Sequence, residues 1–165
     1  MPCPATDFLA ILRELVSHRV DFVIVGGVGA VLLGAPVSTF DLDLVHSRTA
    51  GNVQRLLTAL QCMDAYYREH PETRLRPSAQ DLAGTGHHLL MTRSGPLDLL
   101  GAVTRGRGYE DLLPKTIEIF AGPDLPVHVL DLADLITLKE ELGREKDAAT
   151  LPILRRTLEE RERLR

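Results

Sequence analysis

Two carboxylates stand two residues apart in the run Asp41-Leu-Asp43-Leu-Val. On an extended strand, residues i and i+2 share a face, so both acids point one way while Leu42 and Leu44 point into a core. Side by side the two charges repel, and a divalent cation makes the arrangement favourable. Mg²⁺ takes carboxylate oxygens and keeps room for substrate phosphates. Upstream, Phe22-Val-Ile-Val25 reads as a buried strand that ends on Gly26-Gly27. Glycine lets a backbone approach an anion closely, and the helix these two open aims N–H groups at it. Ser38 and Thr39 precede the acids, and their hydroxyls suit either a phosphate or a capping or turn bond. Asp98 is the only charge in the apolar run Pro96–Ala102. If buried, it needs a partner, a metal or a proton; otherwise it lies on a solvated sheet face. A phosphate cradle joined by one helix to a metal-holding acid pair points to chemistry on a nucleotide.

These groups must be positioned by a sheet with helices against it. The apolar spacing of Phe8, Ile11, Leu12, Leu15 and Val16 predicts a helix over Asp7–His18, capped by Thr6 or Asp7. A short buried helix is expected over Val28–Leu33, ended by Gly34-Ala35-Pro36. Thr49 is placed to cap a helix reaching about Leu60. His87–Thr92 and Pro96–Ala102 read as a hairpin about Arg93-Ser94-Gly95. Thr116–Phe120 and Val127–Leu130 read as two further strands. Asp131 opens a helix to Leu142 that Gly143 breaks, and a second helix is expected from Arg144 to the end. The stretch 61–86 is either a specificity region over the site or a solvated loop with a short helix over Ala79–Leu82. Arg105 and Arg107 are either phosphate or RNA contacts or solvated turn residues.

The order apolar-Gly26-Gly27, the spacer Val28–Phe40, then Asp41-Leu-Asp43-Leu resembles the signature of the nucleotidyltransferase superfamily, the DNA polymerase β-like fold. The closest likeness is to small prokaryotic members, several of them from toxin–antitoxin and phage-defence loci. The tail Asp134-Leu-Ile-Thr-Leu-Lys139, followed by Gly143-Arg144-Glu-Lys146-Asp147, is similar to theirs. The resemblance runs from Phe22 to Leu154, the middle stretch 61–86 excepted. It implies an α/β fold: a short, mixed, twisted sheet flanked by helices, with a C-terminal helical pair. Residues 1–130 would be the catalytic core and 131–165 helices packed on it in the same compact unit. The implied activity is Mg-dependent transfer of a nucleoside monophosphate from a nucleoside triphosphate to an acceptor hydroxyl, on an RNA 3′ end, a protein side chain or a small molecule. Two Mg²⁺ or Mn²⁺ ions would be held by Asp41, Asp43 and Asp98, and the nucleotide by Gly26, Gly27, Ser38, Thr39, Lys139 and Lys146. Val37 departs from the pattern, because an Arg often stands there. The other reading is a catalytically silent binding module of the same fold, such as a partner in a toxin–antitoxin complex. Three converging acids favour the enzyme.

Composition bounds these readings. A chain of 165 residues suits one domain. The formal charge of −4 argues against polyanion binding by the whole surface, though a local basic patch is compatible with it. Aromatic residues make up 4% of the chain, so a base-stacking platform is not indicated. No apolar run approaches the ~18–20 residues of a membrane span, and the first residues lack the pattern of a signal peptide, so a cytoplasmic protein is expected. Cys3 and Cys62 have no metal-ligand spacing, and a disulfide between them is not expected.

Overall fold

The computed structural model describes residues 6–165; Cys3 lies outside them. Helix α1 (Phe8–Ser17) is capped by Asp7, whose carboxylate accepts from the Ala10 N–H at 3.0 Å. It buries Ile11, Leu12 and Leu15, the stripe its apolar spacing predicts, and leads into β1 (Phe22–Val25), buried throughout. Helix α2 (Gly26–Leu32) opens at the glycine pair itself rather than after it. Strand β2 (Leu42–His46) begins one residue past Asp41, so the first acid stands at the mouth of the strand and not inside it. Helix α3 is Ala50–Cys62; Thr49 holds its N-cap position but makes no side-chain cap bond.

The stretch 61–86 is more ordered than a solvated loop. It contains the two-residue strand β3 (Tyr66–Tyr67) and helix α4 (Ala79–Ala83). Ser78 and Asp81 close a reciprocal capping box on α4. Strands β4 (His87–Thr92) and β5 (Gly95–Leu100) form the hairpin, with the turn at Arg93-Ser94. After the short helix α5 (Tyr109–Leu112) come β6 (Thr116–Gly122) and β7 (Leu125–Leu130).

Helix α6 (Leu132–Leu142) ends at Gly143 in the left-handed conformation, φ 60°. The helix expected from Arg144 onward is two: α7 (Glu145–Ala148) and α8 (Leu151–Arg163). Pro152 explains the division. It has no N–H to donate and its ring collides with a preceding helical turn, so it is tolerated in the first turn of α8 but not inside a continuous helix.

The seven strands of the described residues form one mixed sheet in the order β3-β4-β5-β2-β1-β7-β6. β1 runs antiparallel to β2 and parallel to β7, while β2 runs parallel to β5. Leu42 and Leu44 are fully buried on the sheet face opposite the acids. His46 follows them on that face and bonds the Leu82 carbonyl of α4 at 2.8 Å. Helix α2 packs against β1, β2 and α6, and α6 packs against α8. No helix among the described residues is long and apolar enough to cross a membrane.

Candidate active site

The register of the sheet, more than any loop, assembles the acids. Val25 at the end of β1 pairs with Asp43, Asp43 pairs with Asp98 of β5, and Asp98 pairs with Leu89 of β4. Paired residues on neighbouring strands share a face. Asp43 and Asp98 therefore stand side by side, and Asp41, two residues before Asp43, joins them. Asp98 is 8% exposed, so the solvated-face reading of this residue does not hold.

Crowding has an electrostatic consequence. Burial, then the neighbouring Asp98 carboxylate and its hydrogen bond, then Asp41, push the Asp43 carboxyl up from 3.8 to about 7, with Lys146 pulling the other way. Among the described residues Asp98 alone of the three acids has a cation in ion-pair contact, Arg68. An all-oxygen set of this kind is the donor chemistry of Mg²⁺ or Mn²⁺.

The glycines act through space as well as through backbone approach. Gly26 has φ +73°, and a Cβ there would meet the Asp43 carboxylate. A Cβ on Gly27 would stand 2.6 Å from Thr39 Oγ1. The pair thus makes room for the second acid and for Thr39. Gly26→Ala is expected to destabilise the protein by about 1–2 kcal/mol from the left-handed backbone alone, with more from displacing Asp43. Gly51→Ala, inside α3 and beside only the flexible Arg55 side chain, is the control expected to stabilise slightly. Urea unfolding of both variants tests the contrast, and equal midpoints for the two would refute it.

Two cavities meet over this row. The larger, about 770 Å³, is lined by Gly26, Asp41, Asp43, Arg68, Leu89, Asp98, Leu135, Lys139, Arg144 and Lys146, among others. The smaller, about 390 Å³, is lined by Gly26, Gly27, Val37, Ser38, Thr39, Asp41, Asp43, Lys139, Arg144 and Lys146, among others. All nine sequence-predicted site residues therefore border one or both hollows. Their hydrogen bonds divide them. Thr39 donates to the Asp41 carbonyl at 3.1 Å, the turn reading, which holds the first acid in place. Ser38 is exposed at the rim of the smaller hollow. Lys139 donates to the buried Asp147 carboxylate at 2.9 Å, and Arg144 donates to the same group at 2.8 Å. Val37 packs against the core and lines the smaller hollow as an apolar wall.

Two residues of the candidate site were given no role by the sequence reading. Arg68 donates to Asp98 at 2.6 Å and to the Leu90 carbonyl at 3.1 Å. It comes from the stretch 61–86, whose short strand β3 places it at the end of the acid row: its N–H bonds the carbonyl of Leu89. Asp147 is 3% exposed and fixes the helix α6 to α7 corner. The tail motif Gly143-Arg144-Glu-Lys146-Asp147 included it without giving it a role.

Other candidates lie elsewhere. Arg107 bonds Glu141, and Arg105 reaches Glu141 only at 4.0 Å, so this loop is tied to α6. His87 borders the larger cavity and bonds the Ala102 carbonyl. His88 turns to the other face, with Nδ1 2.8 Å from the Tyr67 hydroxyl. Burial holds His46 and His88 below the usual imidazole range. Cys62 is an exposed free thiol. With Glu14 and His18 it forms a group of three donor atoms within 4.8 Å of one another, at the end of β1 opposite Gly26.

No protein-family profile matches the sequence, and no curated protein matches it. Solved structures do. One is a candidate nucleotidyltransferase from Thermotoga maritima, with TM-score 0.57 and 18% identity, covering 92% of this chain and 90% of that one. Another is the lincosamide antibiotic adenylyltransferase LnuA with lincomycin bound, with TM-score 0.61 and 15% identity, covering 92% of this chain and 98% of that one. The chain has the nucleotidyltransferase fold, as its sequence motifs imply.

Proposed function

We propose that this chain is a nucleotidyltransferase that moves a nucleoside monophosphate from a nucleoside triphosphate to an acceptor hydroxyl. The observation that carries the reading is the register row of Asp43 and Asp98, with Asp41 beside it, where the two cavities meet. A second and coarser support is the fold, shared with LnuA and the Thermotoga protein.

The residues have separable tasks in this reading. Asp41, Asp43 and Asp98 would hold two Mg²⁺ or Mn²⁺ ions, whose charge would stabilise the attacking and leaving oxygens of an in-line displacement. The smaller cavity takes the triphosphate. Gly26 and Gly27 let it approach the backbone, Ser38 offers a hydroxyl, and Lys146 and Lys139 supply cations beside the departing pyrophosphate. Thr39 acts one step back, by fixing Asp41. The larger cavity takes the acceptor, with its hydroxyl turned toward Asp98. The acceptor oxygen bonds the α-phosphorus, the bond to the pyrophosphate oxygen breaks, and the acceptor proton passes to water. The task of the protein is positioning and electrostatics, with no covalent intermediate on the chain.

The test is transfer of label. The protein is incubated with Mg²⁺ or Mn²⁺ and each α-labelled nucleoside triphosphate, ATP first because LnuA is an adenylyltransferase. The acceptors offered are total RNA, a protein extract and a panel of hydroxylated small molecules that includes lincomycin. Metal-dependent label on one acceptor class, lost in Asp41→Ala/Asp43→Ala, is expected. A folded protein that transfers no label from any nucleotide to any of these would refute the reading.

A further inference from the structure

Among the described residues, Arg68 is the one cation in direct contact with an acid of the row. Its guanidinium is held in place twice, by the Leu90 carbonyl at 3.1 Å and by Asp98 at 2.6 Å, and its own N–H is anchored to β4 at Leu89. Both side chains are largely shielded, at 26% and 12% exposure. A carboxylate oxygen engaged this closely by a guanidinium offers less electron density to a cation, and the fixed positive charge repels a second one. Without Arg68, Asp98 and Asp43 would face each other across neighbouring strands with no counter-charge among the described residues in contact with either.

We propose that Arg68 is a built-in counter-ion that occupies the third acid until a divalent cation displaces it, and that it thereby sets the metal affinity of the site. The proposal rests on the reading of Asp41, Asp43 and Asp98 as metal ligands. The metal-free protein gains a neutralised acid pair, and metal binding must break the Arg68–Asp98 contact. The affinity of the site is weaker by the worth of that contact. A hydrogen bond between charged groups contributes enough to shift an equilibrium by on the order of ten- to a hundredfold.

Mn²⁺ binding to the nucleotide-free full chain, followed by the electron paramagnetic resonance signal of free Mn²⁺, tests this without recourse to activity. Wild type, Arg68→Gln, Arg68→Met and Asp43→Asn are titrated side by side. Arg68→Gln is expected to bind Mn²⁺ about ten- to a hundredfold more tightly than wild type, and Asp43→Asn to bind it much more weakly. Should Arg68→Gln fail to fold, Arg68→Met keeps the apolar stem and carries the same expectation. If the Arg68 variants bind no more tightly while Asp43→Asn still weakens binding, the counter-ion role is overturned and the metal reading stands. If no protein in the set shows Mn²⁺ binding that Asp43→Asn removes, both are overturned.

Discussion

Asp43→Asn is expected to lower nucleotidyl transfer by on the order of 10²-fold or more, as removal of one electrostatic stabiliser does elsewhere, while making the metal-free protein harder to unfold. The two effects have one origin. Asp43 sits between Asp41 and Asp98, and burial together with those charges pushes its carboxyl up to about 7. A carboxyl raised in the folded state is destabilising wherever it ionises. The sign follows: unfolded, Asp43 loses its proton near pH 4, whereas folded it holds the proton to about 7. The penalty therefore grows across that window as pH rises and is full above it. Asn removes the penalty and, in the proposed reading, a metal ligand together. Thermal unfolding without metal should show the Asn variant above wild type at pH 8 by a few degrees, about 2–4 °C per kcal/mol for a chain of this size. The gap should close by pH 4. Added Mg²⁺ or Mn²⁺ should raise the wild-type midpoint and leave that of the variant nearly unmoved. A variant with full transfer activity would remove Asp43 from the mechanism.

Asp147→Ala is expected to have the largest effect on stability, about 3–5 kcal/mol, because it breaks a buried ion pair from one side. The Asp147 side chain is 4% exposed and Lys139 14%. Burial works against the Asp147 charge, but the hydrogen bonds and charges of Lys139 and Arg144 outweigh it and hold the carboxyl below the usual range. Such a group stabilises the fold fully above its unfolded value, about 3.9, and loses that contribution as pH falls through its lower folded value. Urea unfolding at pH 7 should show the loss, and the difference from wild type should shrink below about pH 4. Lys139 would also be left beside both cavities without its counter-charge, so nucleotide binding should change even in the fraction that remains folded. Equal midpoints at pH 7 would show that the corner does not depend on Asp147.

The local motifs were legible because each is a short-range statement about the chain. Alternation placed Asp41 and Asp43 on one face with Leu42 and Leu44 behind them, and the structure keeps that division. The hairpin bearing Asp98 was readable from two apolar runs about Arg93-Ser94-Gly95, and the C-terminal break from Gly143. Boundaries were less secure where two signals overlapped. Asp41 looks like part of a strand by alternation, yet pairing begins only at Leu42, because Thr39 turns the backbone onto the Asp41 carbonyl. Pro152 divides the last helix, but the apolar spacing of Leu151, Ile153, Leu154 and Leu158 reads as one helix from Arg144 onward and concealed the corner.

By itself, then, the sequence determined which candidate residues stand close together and which elements they ride on, since strand alternation, glycine turns and helix periodicity act over a few residues. The tertiary structure alone decided what those residues meet. Strand register set Asp43 against Asp98 across a gap of more than fifty positions in the chain and aligned both with Leu89 and Arg68. It also showed the glycines to be clearances for Asp43 and Thr39, and Lys139 to be the partner of Asp147. These are contacts between distant segments. They depend on how strands pair and how helices pack, and no local pattern of residue types records which arginine reaches which acid.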